Sequence, residues 1–163
     1  MDEVVNELIS KVEKEDERVS SVDLGDVLDV MATHNGRSVS EQVLHMFDES
    51  DNPVDQYGLL TQGTAKYPEA GEGTWLALSY VGLGLGEVGE IQGKLKKVLR
   101  DDKGVVTPER REALEAEIGD AFWYLVRLCY ELDLLPSEVL RSNLVKLYDR
   151  KERGVIGGSG DNR

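Results

Sequence analysis

The chain has 163 residues, enough for one domain and a small appendage, and its 40% hydrophobic content supports a packed core. Its formal net charge of −13 argues against a nucleic-acid duplex as the main partner, because phosphate binding requires Lys and Arg in excess. Solubility alone would explain the acidity, and nucleotides stay possible as partners if metal cations bridge the charges.

Compartment signals are few. Cys129 is the single cysteine, so no intrachain disulfide can form, which fits a reducing compartment. The N-terminal sequence is acidic and polar, unlike a signal peptide, and no apolar run approaches the ~20 residues that a membrane span needs. We therefore expect a cytoplasmic protein with no membrane partner.

The first 53 residues are predicted to be a helical N-terminal extension of unknown role. Apolar residues recur there at helical spacing, His34-Asn35-Gly36 signals a turn, and Ser38 with Glu41 forms a capping box. Pro53 then breaks the pattern, so we expect a domain boundary between residues 53 and 54. The helices expected in the extension cover residues 2–17, 22–33 and 38–47.

The second part, residues 54–163, is predicted to contain four more helices and a glycine-rich tail that is mobile without ligand. Thr107 and Pro108 suit the N-cap and the first residue of a helix, and Pro136 opens the last helix. No stretch alternates with the period of a strand, so we expect an all-α fold. The expected helices cover residues 54–67, 75–100, 108 to about 133, and 136 to just before 154. The apolar stripe of the second of these helices includes Val88 and Leu95, and on the third we expect Ile118, Phe122, Leu125 and Leu132 to face inward.

Residues 84–89 read G-x-G-x-x-G, the fingerprint of a dinucleotide-binding loop. That fingerprint requires a preceding strand and a surrounding parallel sheet, and this chain predicts neither. Each glycine inside a helix costs ~1 kcal/mol, so these glycines need another reason. We expect them where a neighbouring helix or a ligand approaches the backbone closely.

Two pairs of carboxylates form the candidate site. Glu87 and Glu90 are three residues apart on one predicted helix, and Glu117 and Asp120 are three apart on the next. A short loop makes these helices antiparallel neighbours, so the four carboxylates can converge beside the apolar seam. Their repulsion would favour a cation, and hard oxygen ligands suit Mg²⁺ or Mn²⁺. The simpler alternative is ordinary solvent-facing acids. A ferritin-like di-iron site would need Glu-x-x-His pairs, and both histidines lie in the extension.

These motifs resemble the MazG-like, all-α nucleoside triphosphate pyrophosphohydrolases. The family signature is E-x-x-E on one helix and E-x-x-D on the next, which Glu87, Glu90, Glu117 and Asp120 match. The basic segment KLKKVLR between the pairs and the ending KERG…GSGDNR add to the resemblance, which covers about residues 54–163. It implies a bundle of about four core helices, and we expect a homodimer or homotetramer because the apolar faces of such a bundle need a partner.

The resemblance implies Mg²⁺-dependent cleavage of a (d)NTP between the α- and β-phosphates, giving (d)NMP and pyrophosphate in nucleotide-pool housekeeping. The four signature carboxylates would be the metal ligands and catalytic residues, because metal ions polarise a phosphoryl group and activate a bound water. Many members carry an extra acid directly before the first signature Glu. Gly86 stands there in this chain, so a general-base role for that acid is not carried over.

Seven further residues are candidates for substrate binding. Lys94 and Lys97 follow Glu90 at helical spacing, and each could neutralise phosphates or simply pair with that carboxylate. Tyr124, one turn after Asp120, could stack on the base or belong to the core. The candidates on the last helix match the family's N-x-x-K pattern and could bind substrate, or they could simply complement the helix dipole. The seven are Lys94, Lys97, Tyr124, Asn143, Lys146, Arg150 and Arg153.

Two other functions stay open at the level of sequence. One is a catalytically inactive helical regulatory or scaffold protein that retains the fold. The other is a related hydrolase that acts on dUTP or another phosphorylated nucleotide, since no residue set for base or sugar recognition can be assigned from sequence.

Overall fold

A computed structural model describes the chain over residues 24–154. Within that range every regular element is helical, which confirms the all-α fold class. The helix predicted over 2–17 and the tail beyond Gly154 lie outside the described residues. None of the helices between residues 24 and 154 is long and apolar enough to cross a membrane. The α-helices are α1 (Leu24–Asn35), α2 (Val39–Asp48), α3 (Pro53–Leu60), α4 (Trp75–Gly84), α5 (Glu87–Asp101), α6 (Pro108–Glu131) and α7 (Pro136–Glu152).

The chain forms two compact units, which divide between Thr64 and Ala65. Helices α1 to α3 and a 3₁₀ turn over Thr61–Thr64 belong to the first unit, and α4 to α7 belong to the second. The division therefore falls after α3, the helix that we expected to open the second part. The extent of the domain predicted over 54–163 stays a prediction.

Local turn and cap signals mark the boundary between α1 and α2 in the first unit. The Ser38 hydroxyl accepts a hydrogen bond from the Glu41 amide (3.3 Å), and the Glu41 carboxylate accepts one from the Ser38 amide (2.8 Å). This confirms the capping box. Gly36 has φ +63°, a left-handed conformation that glycine adopts without steric cost, so the predicted turn is also confirmed. The interior of this unit contains Leu28, Ala32, Gln42, Leu60 and Thr61.

The helix predicted over 54–67 ends earlier, at Leu60. The Thr61 hydroxyl donates to the Gly58 carbonyl (2.6 Å), and the chain continues as the 3₁₀ turn. By contrast, the starts predicted from Thr107, Pro108 and Pro136 are confirmed, because the Thr107 hydroxyl accepts from the Arg110 amide at 3.3 Å and each proline opens its helix.

The single long helix predicted over 75–100 is two helices, α4 and α5. At the break, the amide of Gly86 donates to the Leu83 carbonyl (3.0 Å), and the amide of Gly89 donates to the Gly86 carbonyl (2.7 Å). These three-residue hydrogen bonds tighten the chain into a 3₁₀-like turn between α4 and α5. The break makes Glu87 the first residue of α5, instead of a residue in mid-helix.

Helices α5 and α6 pack against each other and run antiparallel. Arg110, at the start of α6, binds Asp102, just past the end of α5, at 2.7 Å. Further along α6, Glu117 binds Lys94 in the middle of α5, also at 2.7 Å. From Arg110 to Glu117 the residue number rises along α6, whereas the number of the partner falls from Asp102 to Lys94. The two helices therefore point in opposite directions. The predicted antiparallel pair is confirmed.

The core of the second unit is small. Ala77 and Val81 on α4 are completely buried and pack with Tyr67, Trp123 and Leu128. Several apolar residues that the helical pattern predicted to face inward are instead exposed, so that part of the prediction was wrong for the isolated chain. These residues are Val88, Leu95, Ile118, Phe122, Leu125 and Leu132.

Candidate functional site

Three of the four signature carboxylates meet between α5 and α6. One oxygen from each of Glu87, Glu117 and Asp120 lies within 4.8 Å of the others. Glu87 comes from the first turn of α5, and the other two lie one turn apart on α6. We call these three residues the carboxylate cluster. Glu90, the fourth acid, is exposed on the next turn of α5, and its charge helps to raise the pKa of Glu87.

The electrostatics of Glu87 show that negative charge is crowded in this cluster. Burial raises the pKa of the Glu87 carboxyl, and so do its hydrogen bond with Glu117 and the charges of Glu117, Asp120 and Glu90. The N-terminus of a helix would by itself favour the ionised carboxylate and lower that pKa. The upward direction instead reflects burial and the neighbouring acids.

Lys94 provides positive charge at the edge of the carboxylate cluster. Its ammonium lies 2.7 Å from Oε1 of Glu117, on the neighbouring helix. This hydrogen bond is the main reason that the pKa of Glu117 is lowered. Lys97, three residues later, is exposed, and its charge adds to that of Arg100 in lowering the pKa of Asp101. The two lysines thus have different carboxylate neighbours.

Tyr124 lies beside the carboxylate cluster and against α4. Burial raises the pKa of its phenol, as do Tyr80 and the charges of Glu87 and Asp120. Tyr124 lies one turn after Asp120 on the same face of α6. A Cβ at Gly84 would lie 2.0 Å from Cε1 of the Tyr124 ring, so only glycine permits this contact.

Close approach therefore explains Gly84 of the G-x-G-x-x-G stretch; a Cβ at Gly86 would lie 3.2 Å from the Leu83 carbonyl oxygen of its own turn, and Gly89 has no close neighbour. A Cβ at three neighbouring glycines would meet open space within the described residues; these are Gly82, Gly89 and Gly93. The expectation of close approach is confirmed for Gly84.

The remaining candidates lie on α7, which is exposed along most of its length. Asn143 and Lys146 line a groove of about 410 Å³ together with residues from the α6–α7 loop, and its lining contains none of the clustered carboxylates. The Arg153 guanidinium binds the Asp149 carboxylate at 2.7 Å, and Arg150 is half-buried. Their proposed role in substrate binding stays a prediction.

A buried polar network in the same unit was missed by the sequence reasoning. The Glu131 carboxylate accepts hydrogen bonds from the Tyr67 hydroxyl (2.5 Å) and from the amides of Gly71 (2.7 Å) and Gly73 (2.9 Å). Nε of Arg127 donates to the Tyr67 hydroxyl (3.2 Å), and burial helps to raise the pKa of Tyr67 to about 12. The network attaches the loop before α4 to the end of α6. The sequence signal for this network is an Arg and a Glu four residues apart among apolar neighbours.

Comparison with known proteins identifies a relative from a bacteriophage. No protein-family model and no solved structure matches the chain. Over 112 residues the chain is 53% identical to the gene 37 protein of Mycobacterium phage L5, and this alignment covers 68% of the chain and 98% of the phage protein. The chain therefore belongs to the family of the gene 37 protein of Mycobacterium phage L5.

Proposed function

We propose that this protein is a MazG-like, Mg²⁺-dependent nucleoside triphosphate pyrophosphohydrolase that acts in the cytoplasm. It would cleave a (d)NTP between the α- and β-phosphates and release (d)NMP and pyrophosphate. The observation that supports this most is the convergence of Glu87, Glu117 and Asp120 from two helices, with one oxygen of each within 4.8 Å of the others. Spacing along one helix would not by itself bring acids from two helices to one place.

The donor set fits a hard divalent cation. All three clustered groups are carboxylates, and Mg²⁺ is usually held by a few carboxylates together with the phosphates of its substrate. Burial and the neighbouring acids raise the pKa of Glu87, and a cation among these carboxylates would favour their ionised forms. Glu87, Glu117 and Asp120 would hold Mg²⁺, with Glu90 beside them. The bound metal would polarise the phosphoryl group and lower the pKa of a water molecule.

The other residues around the carboxylate cluster fit a nucleotide. Lys94 is the cation next to the cluster, and its flexible ammonium suits the non-bridging oxygens of a phosphate. The Tyr124 ring is half-buried beside Glu87 and Asp120, where it can stack on the base. Phosphate neutralisation would then come from α5 and base stacking from α6.

The exposed apolar surface supports the proposed oligomer. Phe122 is 57% exposed and Leu125 is 47% exposed on α6, and Leu144 on α7 is 56% exposed. Phe122 and Leu125 lie three residues apart on one face of α6, and adjoining exposed apolar side chains usually mark a contact with another protein. We propose that α6 and α7 meet a second copy of the chain in a homodimer or homotetramer.

The proposal is tested with a panel of nucleotides and Mg²⁺, in which pyrophosphate and orthophosphate are measured separately. Glu117→Gln and Glu90→Gln should each reduce pyrophosphate release by at least about 100-fold, the usual effect of losing one preorganised electrostatic group. The matched control is Glu115→Gln, which changes an exposed acid on α6 outside the cluster and should keep full activity.

Circular dichroism should show unchanged helix content in all three variants. Orthophosphate as the sole inorganic product would contradict cleavage between the α- and β-phosphates. Absence of hydrolysis with every nucleotide would favour the alternative of an inactive regulatory or scaffold protein.

A further inference from the structure

The ion pair between Lys94 and Glu117 differs from the other ion pairs of the described residues because Glu117 is a member of the carboxylate cluster. The ammonium lies 2.7 Å from Oε1 of Glu117, and the two side chains are only 25% and 17% exposed. Glu117 also shares a hydrogen bond with Glu87, so its carboxylate is engaged from two sides. An ion pair partly shielded from water in this way is stronger than a typical surface pair, which salt and water screen.

We propose that Lys94 is a built-in counter-ion of the carboxylate cluster, which holds Glu117 in the metal-free protein and is released when a divalent cation binds. This inference rests on the proposed function, because it takes the carboxylate cluster as the cation site. Lys94 would therefore set the affinity of the site for its metal.

The physical reason is competition for one carboxylate. An ammonium at Glu117 and a divalent cation held by the same carboxylate cluster repel each other, so each weakens the binding of the other. By thermodynamic linkage the two effects are equal in size, and such couplings usually amount to ~5–150-fold in affinity. Because both side chains keep some contact with water, we expect a value near the lower end, about 5–10-fold.

The competition also connects the metal to the substrate. A phosphate group attracts the Lys94 ammonium and so draws it away from Glu117, which removes an obstacle to cation binding. The cation in turn releases the ammonium toward the phosphates. Metal and nucleotide would then each increase the affinity of the site for the other by the same factor. The free protein would bind metal weakly, and the nucleotide complex would bind it tightly.

The first experiment measures Mn²⁺ binding by electron paramagnetic resonance in the full chain without nucleotide. Lys94→Met should bind Mn²⁺ about 5–10-fold more tightly than the wild type. Lys94→Arg, which keeps the charge, and Lys96→Met, which removes an exposed lysine from the same helix, should both stay within about twofold of the wild type. Equal or weaker binding in Lys94→Met would overturn the inference alone, whereas no saturable binding in any variant would overturn the proposed metal site with it.

The second experiment follows the release of Lys94 in the unmodified sequence. An amine-reactive reagent is added with and without Mg²⁺, and labelling is measured by mass spectrometry. Labelling of Lys94 should rise at least about twofold with Mg²⁺, because an ammonium in a strong ion pair reacts slowly and a released one reacts faster. Lys96, an exposed lysine on the same helix, serves as the internal control and should not change. Unchanged labelling of Lys94 at Mg²⁺ concentrations that saturate the site would show that the lysine stays on Glu117.

Discussion

Gly84 offers a sharp test of why this helical chain contains so many glycines. We predict that Gly82→Ala stabilises the protein and that Gly84→Ala does not, although both residues lie in the last turn of α4. Alanine is favoured over glycine by roughly 0.5–1 kcal/mol inside a helix, because it loses less backbone entropy on folding. A Cβ at Gly82 meets open space, so this gain should appear in full there.

At Gly84 the same gain is offset by a clash. The new Cβ would lie 2.0 Å from one carbon of the Tyr124 ring and 2.2 Å from another, so the ring must move. Such overpacking typically costs ~1–3 kcal/mol. The net effect of Gly84→Ala should therefore lie between about zero and about 2 kcal/mol of destabilisation, and the two variants should differ by about 1–3 kcal/mol.

Urea unfolding followed by circular dichroism at 222 nm measures these differences, provided that the slope of the transition stays constant. A double-mutant cycle isolates the contact: in a Tyr124→Ala background, Gly84→Ala should stabilise the protein as Gly82→Ala does. Equal stabilisation by Gly82→Ala and Gly84→Ala in the wild-type background would refute the reasoning, because it would mean that the Tyr124 ring does not need the missing side chain.

Three further predictions concern the buried network, a helix cap and the carboxylate cluster. Glu131→Ala should destabilise the protein by about 3–5 kcal/mol in urea unfolding, because it leaves the buried Arg127 charge uncompensated. As a control, Glu138→Ala on exposed α7 should change the free energy of unfolding by less than ~0.5 kcal/mol. Thr107→Ala should cost ~1 kcal/mol in the same assay, because the α6 cap is lost, and no loss would mean that the cap is replaced by water or another group. Glu87→Gln should be more stable than the wild type at pH 7 in the presence of a chelator. Because the pKa of Glu87 is raised in the folded protein, the Glu87 carboxyl contributes stability at low pH, where it is protonated and neutral like Gln. That contribution is lost as the pH rises through the folded-state pKa of Glu87, so the advantage of Gln should shrink on acidification. An advantage that grows on acidification would contradict this sign, and Mg²⁺ should reverse the order of stability at pH 7 by binding only the wild type.

Helix starts were predictable from sequence in this protein. Ser38, Thr107 and Pro136 act on amides or backbone angles within three residues of themselves, so their effect does not depend on the rest of the fold. Spacing along one helix is also local. For that reason Glu117 and Asp120 were correctly expected to share one face of α6.

Burial was much harder to predict. The helical pattern indicated Leu125 and Phe122 as inward residues, yet both are exposed, and Arg127 and Glu131 are buried instead. Arg127 and Glu131 tolerate burial because Tyr67 and the loop before α4 supply hydrogen bonds, and these partners come from about 60 residues earlier in the chain. A window of a few residues contains no information about such partners.

The sequence by itself determined that the chain is helical, where most helices begin, and which acids share a helical turn. Only the tertiary structure decided that Glu87 meets Glu117 and Asp120 and that Lys94 binds the neighbouring helix. The physical reason is the range of the interactions. Caps and helical spacing act over three or four residues, whereas the carboxylate cluster depends on how α5 and α6 pack against each other.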